Sequence, residues 1–232
     1  MTDPRIDRVI NKDLTVIFDL DGTLVDTAPD LLAALNHTLA DILDKPIELD
    51  QMRALVGLGS AALIRDALDY FKVPYSQEDE DRLREAFIAT YVDNVAVHSK
   101  LFPGLDTLLP RYSQAGARLG ICTTKLRAPS VKLLDALGVL DHFPTVVGRD
   151  TFDYNKPDPR TLLSTIEQAG GDPARTVYLG DSITDVKTAK AANIPCILVS
   201  FGYTAMPVET LGGDIIIDHF DELDEAIDKL LS

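Results

Sequence analysis

The chain has 232 residues, 46% of them hydrophobic and 25% charged, with 14 Gly and 13 Pro. These proportions exclude disordered, collagenous and disulfide-scaffold extremes and leave enough apolar material for a packed core; the length suits one core with a sizeable insertion. Its 37 acidic against 22 basic residues give a net charge of −15, which disfavours a nucleic-acid backbone or an anionic membrane as main partner because bulk repulsion opposes docking.

Met1 to Arg8 contain no continuous apolar run, and no stretch of the chain approaches the roughly 18 apolar residues that a membrane span needs. Cys122 and Cys196 each lie inside an apolar run, so a disulfide framework is not expected. The expectation is a soluble cytoplasmic protein, monomer or homodimer, with no nucleic-acid or membrane partner. The acidic segment from Asp218 to Glu225 reads as a solvated helix face.

In chain order, Leu14 to Phe18 is a β-branched apolar run without alternation, the pattern of a strand buried on both faces, and it ends abruptly in Asp19-Leu20-Asp21-Gly22. Residues 26–97 then carry successive helical patterns and no convincing strand. Pro29 suits a first helical turn, followed by an apolar stripe of Leu31, Leu32, Leu35, Leu39, Ile42 and Leu43. Ser60 can cap a second helix carrying Leu63, Ile64, Ala67 and Leu68, and Ser76 with Asp79 forms a capping-box pattern before Leu83, Phe87 and Tyr91. Phe102-Pro103-Gly104 marks the return to the sheet. Further strand-like runs follow at Leu119 to Cys122, Thr145 to Val147, Val177 to Leu179, Cys196 to Val199 and Ile215 to Ile217, alternating with helical patterns. That alternation implies a parallel sheet. The expected fold is an α/β, Rossmann-like core of residues 1–25 and 98–232, with a helical cap of residues 26–97 inserted after the first strand.

Ligands of open parallel sheets bind at the carboxyl ends of the strands, and there the chain carries Asp19 and Asp21, then Thr123, Thr124 and Lys125, then Asp181 and Asp185. Asp19 and Asp21, two residues apart before a turn at Gly22, are expected to converge on one point. Crowded carboxylates call for a cation or a proton between them, and an all-oxygen donor set suits Mg²⁺. Lys156, Lys125 and the hydroxyls of Thr123 and Thr124 supply donors for phosphate, with a helix beginning after Lys125 adding N–H groups. Metal, lysine and carboxylate nucleophile together provide most of what phosphoryl transfer needs, and attack by the carboxylate gives an aspartyl-phosphate.

Phe18-Asp19-Leu20-Asp21-Gly22-Thr23-Leu24-Val25-Asp26, with Thr123, Lys156-Pro157-Asp158-Pro159 and Gly180-Asp181-Ser182-Ile183-Thr184-Asp185, resembles the four ordered motifs of the haloacid dehalogenase-like hydrolase superfamily over nearly the whole chain. The resemblance implies Asp19 as nucleophile and Asp21 as general acid and base. It implies a metal held by Asp19, the main-chain carbonyl of Asp21 and Asp181, with Asp185 in support and Thr123 and Lys156 as phosphoryl-binding groups. Asp21 must then keep a proton while Asp19 is ionised, so their environments have to differ. Thr124 stands where many relatives carry Asn, and Lys125 matches a lysine frequent in the same branch. The helical insertion resembles the small cap of one subfamily; Val56-Gly57-Leu58-Gly59-Ser60 resembles the cap loop of phosphoglycolate phosphatases, and Asp26-Thr27-Ala28-Pro29-Asp30 the segment after their first motif. Gly57, Gly59 and Arg65 are the cap residues expected at the substrate.

The expected activity is Mg²⁺-dependent hydrolysis of a small phosphorylated metabolite, 2-phosphoglycolate first. A calcium loop counted from Asp19 fails because its sixth position is Leu24 and its flank is strand-like. A phosphoacceptor receiver module lacks a helical insertion and a second acid two residues after the acceptor. A sugar phosphomutase of the same superfamily differs in its product, an isomerised sugar phosphate instead of free phosphate.

Overall fold

The computed structural model describes residues 10–49, 51, 63–204 and 206–232. In chain order these form β1 (Thr15–Phe18), β2 (Val25–Asp26), α1 (Ala28–Thr38), α2 (Leu63–Tyr70), α3 (Gln77–Asp93), β3 (Lys100–Leu101), α4 (Leu105–Gln114), β4 (Arg118–Cys122), α5 (Arg127–Ala136), β5 (Thr145–Val147), α6 (Pro159–Gln168), β6 (Thr176–Gly180), α7 (Ile183–Ala192), β7 (Cys196–Val199), β8 (Ile215–Ile217) and α8 (Leu223–Leu231). Six strands make one parallel sheet in the order β5-β4-β1-β6-β7-β8. All six apolar runs are strands of this sheet. The chain winds outward from β1 through β4 to β5, then crosses back to β6 on the other side of β1. That reversal opens a crevice at the carboxyl ends of the central strands.

The strands alternate their side chains between two cores, which is why they lack a polar face. Val16, Phe18, Ile121, Leu179 and Ile197 join the larger core with α4, α5 and α8, through residues such as Leu109, Leu134 and Ile227. Ile17, Cys122, Tyr178, Cys196 and Leu198 join the other with Leu162 and Ile166 of α6 and Val186 and Ala189 of α7. Both cysteines are buried free thiols. No helix among the described residues is long and apolar enough to cross a membrane. Asp224 of the acidic carboxyl-terminal segment faces inward, accepting from Arg111 Nη2 and the Tyr112 hydroxyl at 2.8 Å each.

The helical insertion departs from the expected pattern in two places. The first helix ends at Thr38, with Leu39 as its cap, although the apolar stripe continues to Leu43. The Asn36 side chain binds both Ile47 N and Ile47 O, at 2.7 and 3.0 Å, and folds the chain back over the helix end. A two-residue antiparallel ribbon, Val25 opposite Leu101 and Asp26 opposite Lys100, closes the base of the insertion; two residues are too few to carry a period. Ser76 and Asp79 form the expected capping box on α3, whereas the Ser60 cap lies outside the described residues.

Asp30, on α1, fastens the outgoing and returning connections together. Its buried carboxylate accepts from His98 N at 2.9 Å and from Ser99 N and Oγ at 2.8 and 2.7 Å. Hydrogen bonds to a charged acceptor are the strong ones, and deleting the acceptor strands buried donors. Asp30→Ala is therefore expected to lower unfolding stability by about 2–4 kcal/mol, measured by urea denaturation; a loss within about 0.5 kcal/mol, typical of an ordinary surface site, would show that the clamp is unimportant.

Candidate active site

β1 ends where Asp19 N donates to Leu179 O at 2.8 Å, one step beyond the pairing of Phe18 with Leu179. The chain then closes a tight turn: Leu24 N and Val25 N both donate to Leu20 O, and Gly22 N donates to Val25 O, each at 3.0 Å. Gly22 has φ +83°, and a Cβ there would lie 2.4 Å from Asp181 Oδ2. The turn thus needs both the left-handed backbone and the missing side chain. It also gives the two acids different partners. The Asp19 carboxylate turns toward Lys156, while Asp21 turns toward Lys125 and Thr27.

Asp19, Asp181 and Asp185 each offer one carboxylate oxygen to a group whose members all lie within 4.8 Å of one another. Lys156 enters from the loop before α6, on the amino side of a cis Lys156–Pro157 peptide. Its Nζ donates to Asp185 Oδ1 at 2.6 Å and to the Tyr178 hydroxyl at 2.8 Å. Asp19 Oδ1 is 3.0 Å from the same Nζ as an ion pair, but has no hydrogen-bond partner among the described residues. Asp185 is occupied on both oxygens. Oδ1 takes Lys156 and Tyr178, and Oδ2 takes Ser182 Oγ and Ser182 N at 2.6 and 3.0 Å. Its place at the start of α7, in a capping box with Ser182, makes it a helix-capping acid as well. Asp181 accepts from Tyr203 N at 2.7 Å and, at 3.5 Å, from the Thr23 hydroxyl.

Burial pushes the Asp19 carboxyl up to about 6, against the opposing pull of Lys156. Burial and then the Asp185 and Asp19 charges raise Asp181 well above the ordinary carboxylate range. Burial also works against charge on Asp185, yet the Lys156 ammonium and its hydrogen bonds hold that carboxyl below its usual value. Lys156 itself is held above the lysine range, because Asp185 and Asp19 together outweigh its desolvation. Three buried carboxylates against one ammonium leave an excess of negative charge. An all-oxygen donor set with such an excess and an unpartnered Asp19 oxygen fits a hard divalent cation.

Asp21 stands in a different setting. Its Oδ1 accepts from the Thr27 hydroxyl at 2.6 Å and from Lys125 Nζ at 3.0 Å, and Oδ2 is 3.2 Å from the same ammonium. Lys125 is buried and reaches across from the loop after β4, 4.2 Å above the ring of Tyr91 on α3. Thr123 is buried directly beyond β4, its hydroxyl accepting from Lys125 N at 3.2 Å, and Thr124 lines a cavity with Lys125. Arg65 lies half exposed on α2 beside Asp66 at 3.7 Å and is not among the residues gathered at the strand ends. Gly57 and Gly59 lie outside the described residues.

Sequence reasoning missed three contributors. Tyr178 supports Lys156 and Asp185, and its one signal is an aromatic hydroxyl in an aliphatic strand. Tyr203 binds Asp181 through its N–H, while its hydroxyl donates to Asp26 Oδ1 at 2.5 Å and accepts from Ala28 N at 2.9 Å. Thr27 orients Asp21. Tyr203 meets Asp26 and Ala28 from the far end of the chain, and the nearer pairs, Thr27 with Asp21 and Tyr178 with Asp185, follow no motif spacing.

Residues 16–199 match the family model described as haloacid dehalogenase-like hydrolase. The chain belongs to that family. A phosphoglycolate phosphatase of Mesorhizobium japonicum is 44% identical over 208 residues, covering 90% of this chain and 92% of the relative. That of Agrobacterium fabrum is 43% identical over 217 residues, covering 93% of each. In three dimensions the chain superposes on a predicted phosphoglycolate phosphatase from Haemophilus somnus with a TM-score of 0.85, covering 94% of this chain and 98% of the other at 24% identity, a likeness of fold. The protein is a phosphoric monoester hydrolase of the phosphoglycolate phosphatase-like kind, and the receiver-module alternative falls away.

The raised Asp19 carboxyl has a consequence for stability. Folding favours its protonated form, so its contribution is fully present below pH 3.8 and is lost as pH rises through about 6. In chelator, Asp19→Asn is expected to gain about 2–3 kcal/mol on the wild type between pH 4 and pH 7, followed by urea unfolding at both pH values. A difference independent of pH would show that the buried carboxyl titrates normally.

Proposed function

We propose that this chain is a Mg²⁺-dependent phosphatase hydrolysing 2-phosphoglycolate through an aspartyl-phosphate on Asp19. The observation that carries the proposal is the Asp19 carboxylate: buried, with one oxygen free of hydrogen bonds, and 3.0 Å from an ammonium able to pair with a phosphoryl oxygen. The substrate rests on the named relatives that match nine-tenths of the chain.

Mg²⁺ would be held by Asp19, the main-chain carbonyl of Asp21 and Asp181, and when bound it supplies positive charge opposite the phosphoryl oxygens and keeps Asp19 ionised. Asp185, fully spent on Lys156, Tyr178 and Ser182, holds that lysine in place. Lys156 and the Thr123 hydroxyl bind phosphoryl oxygens. Asp19 attacks phosphorus, and the P–O bond to the alkoxide breaks as Asp21 gives that oxygen its proton. Asp21 then takes a proton from water, which attacks the aspartyl-phosphate and releases inorganic phosphate, restoring Asp19. Lys125 and Thr27 aim the Asp21 carboxyl in both steps. The helical insertion covers the site and excludes bulk water.

A panel of phosphomonoesters, assayed for released phosphate with Mg²⁺ and with chelator, tests the proposal. 2-Phosphoglycolate is expected to rank first and chelator to abolish turnover; an isomerised sugar phosphate in place of free phosphate would identify a mutase. Asp19→Asn is expected to eliminate both turnover and phosphoenzyme, and Asp21→Asn to lower kcat by about 10²–10⁴-fold. Retained activity in the Asp19 variant would overturn the nucleophile assignment.

A further inference from the structure

Asp21 also fixes where the leaving group must lie. Because it protonates the departing oxygen under the function proposed above, the alcohol has to extend toward the side of the site where Asp21 and Lys125 pair. On that side is a cavity of about 390 Å³ between the helical insertion and the loop after β4, lined by Tyr91, Thr124 and Lys125 together with the apolar Ile88, Leu126 and Pro129. Tyr91 is only 4% exposed, yet its hydroxyl has no hydrogen-bond partner among the described residues. The Lys125 ammonium lies 4.2 Å from the centre of the Tyr91 ring and donates to both oxygens of Asp21. A buried hydroxyl without a partner costs stability, and in a substrate-facing cavity that cost is removed when a ligand oxygen arrives.

We infer that Tyr91 is a specificity-determining residue, its hydroxyl receiving an oxygen of the leaving group's polar substituent, which in 2-phosphoglycolate is the carboxylate. The inference rests on the proposed phosphatase reading and adds to it the residue that selects among esters. Burial pushes the Tyr91 phenol up to about 12, so at neutral pH it is a proton donor suited to an anionic acceptor. The nearby Lys125 charge favours the same kind of ligand; Arg84, Glu85, Arg149 and Asp150 also line the cavity.

The experiment compares Tyr91→Phe with wild type on matched esters: 2-phosphoglycolate against ethyl phosphate, and glycerol 3-phosphate against propyl phosphate. The variant keeps the ring and its contact with Lys125 and loses only the hydroxyl. On the polar ester that wild type prefers, kcat/KM is expected to fall about 10–100-fold, the range for one hydrogen bond to a charged acceptor. On its apolar partner it is expected to change less than about twofold. Equal losses on both members would assign Tyr91 a structural role and overturn the inference, as would an unchanged ratio or a wild type that does not distinguish polar from apolar esters. If wild type selects glycerol 3-phosphate and ignores 2-phosphoglycolate, the substrate assignment fails, and the second pair still decides the role of Tyr91.

Discussion

Lys156 lies 2.6 Å from Asp185 and 3.0 Å from Asp19 with almost no access to water, and the character of every acid around it follows from how that single ammonium is shared. Its hydrogens are directed to Asp185 and Tyr178, so Asp185 becomes the satisfied, ionised partner. Asp19 receives the charge without the hydrogen bond. One carboxylate is thereby consumed as structure and another is left with an unpartnered oxygen, although both are buried at adjacent strand ends. Losing the ammonium of such a buried cluster is costly because the carboxylates around it are stranded, which ties the site to the stability of the sheet beneath it.

The turn after β1 supplies a second asymmetry. Asp19 and Asp21 are separated by one residue, yet Gly22 and the bonds around Leu20 send their side chains into different electrostatic settings. One faces a group of acids around a lysine; the other faces a lysine and a threonine. Two carboxylates given different surroundings can take different roles in one reaction. The same region anchors the helical insertion. Tyr203 binds the carboxylate of Asp181 through its N–H and the start of α1 through its hydroxyl, and Gly202 lets the chain pass so near Asp181 that a Cβ there would lie 2.2 Å from that residue.

The strands were legible because a sheet buried on both faces leaves uninterrupted apolar runs, and all six such runs pair in parallel. The acids and lysines of the site were legible because they follow those runs directly. The insertion was less so. An apolar stripe running on to Leu43 gave no sign that Asn36 would bind the main chain of Ile47 and end the helix at Thr38. Nor could spacing tell the partners of the two acids of the first motif apart, because these depend on a turn packed against Asp181 and Tyr203, far along the chain.

By itself, then, the sequence determined the sheet, the inserted helices and the set of groups available at the strand ends, since these depend on hydrophobic periodicity and on side chains next to one another in the chain. Tertiary structure alone decided how those groups divide their partners: Lys156 between Asp185 and Asp19, Lys125 on Asp21, and Tyr91 with its hydroxyl unclaimed. Hydrogen bonds and desolvation act through space over a few ångströms, and only the folded chain specifies which residues come that close.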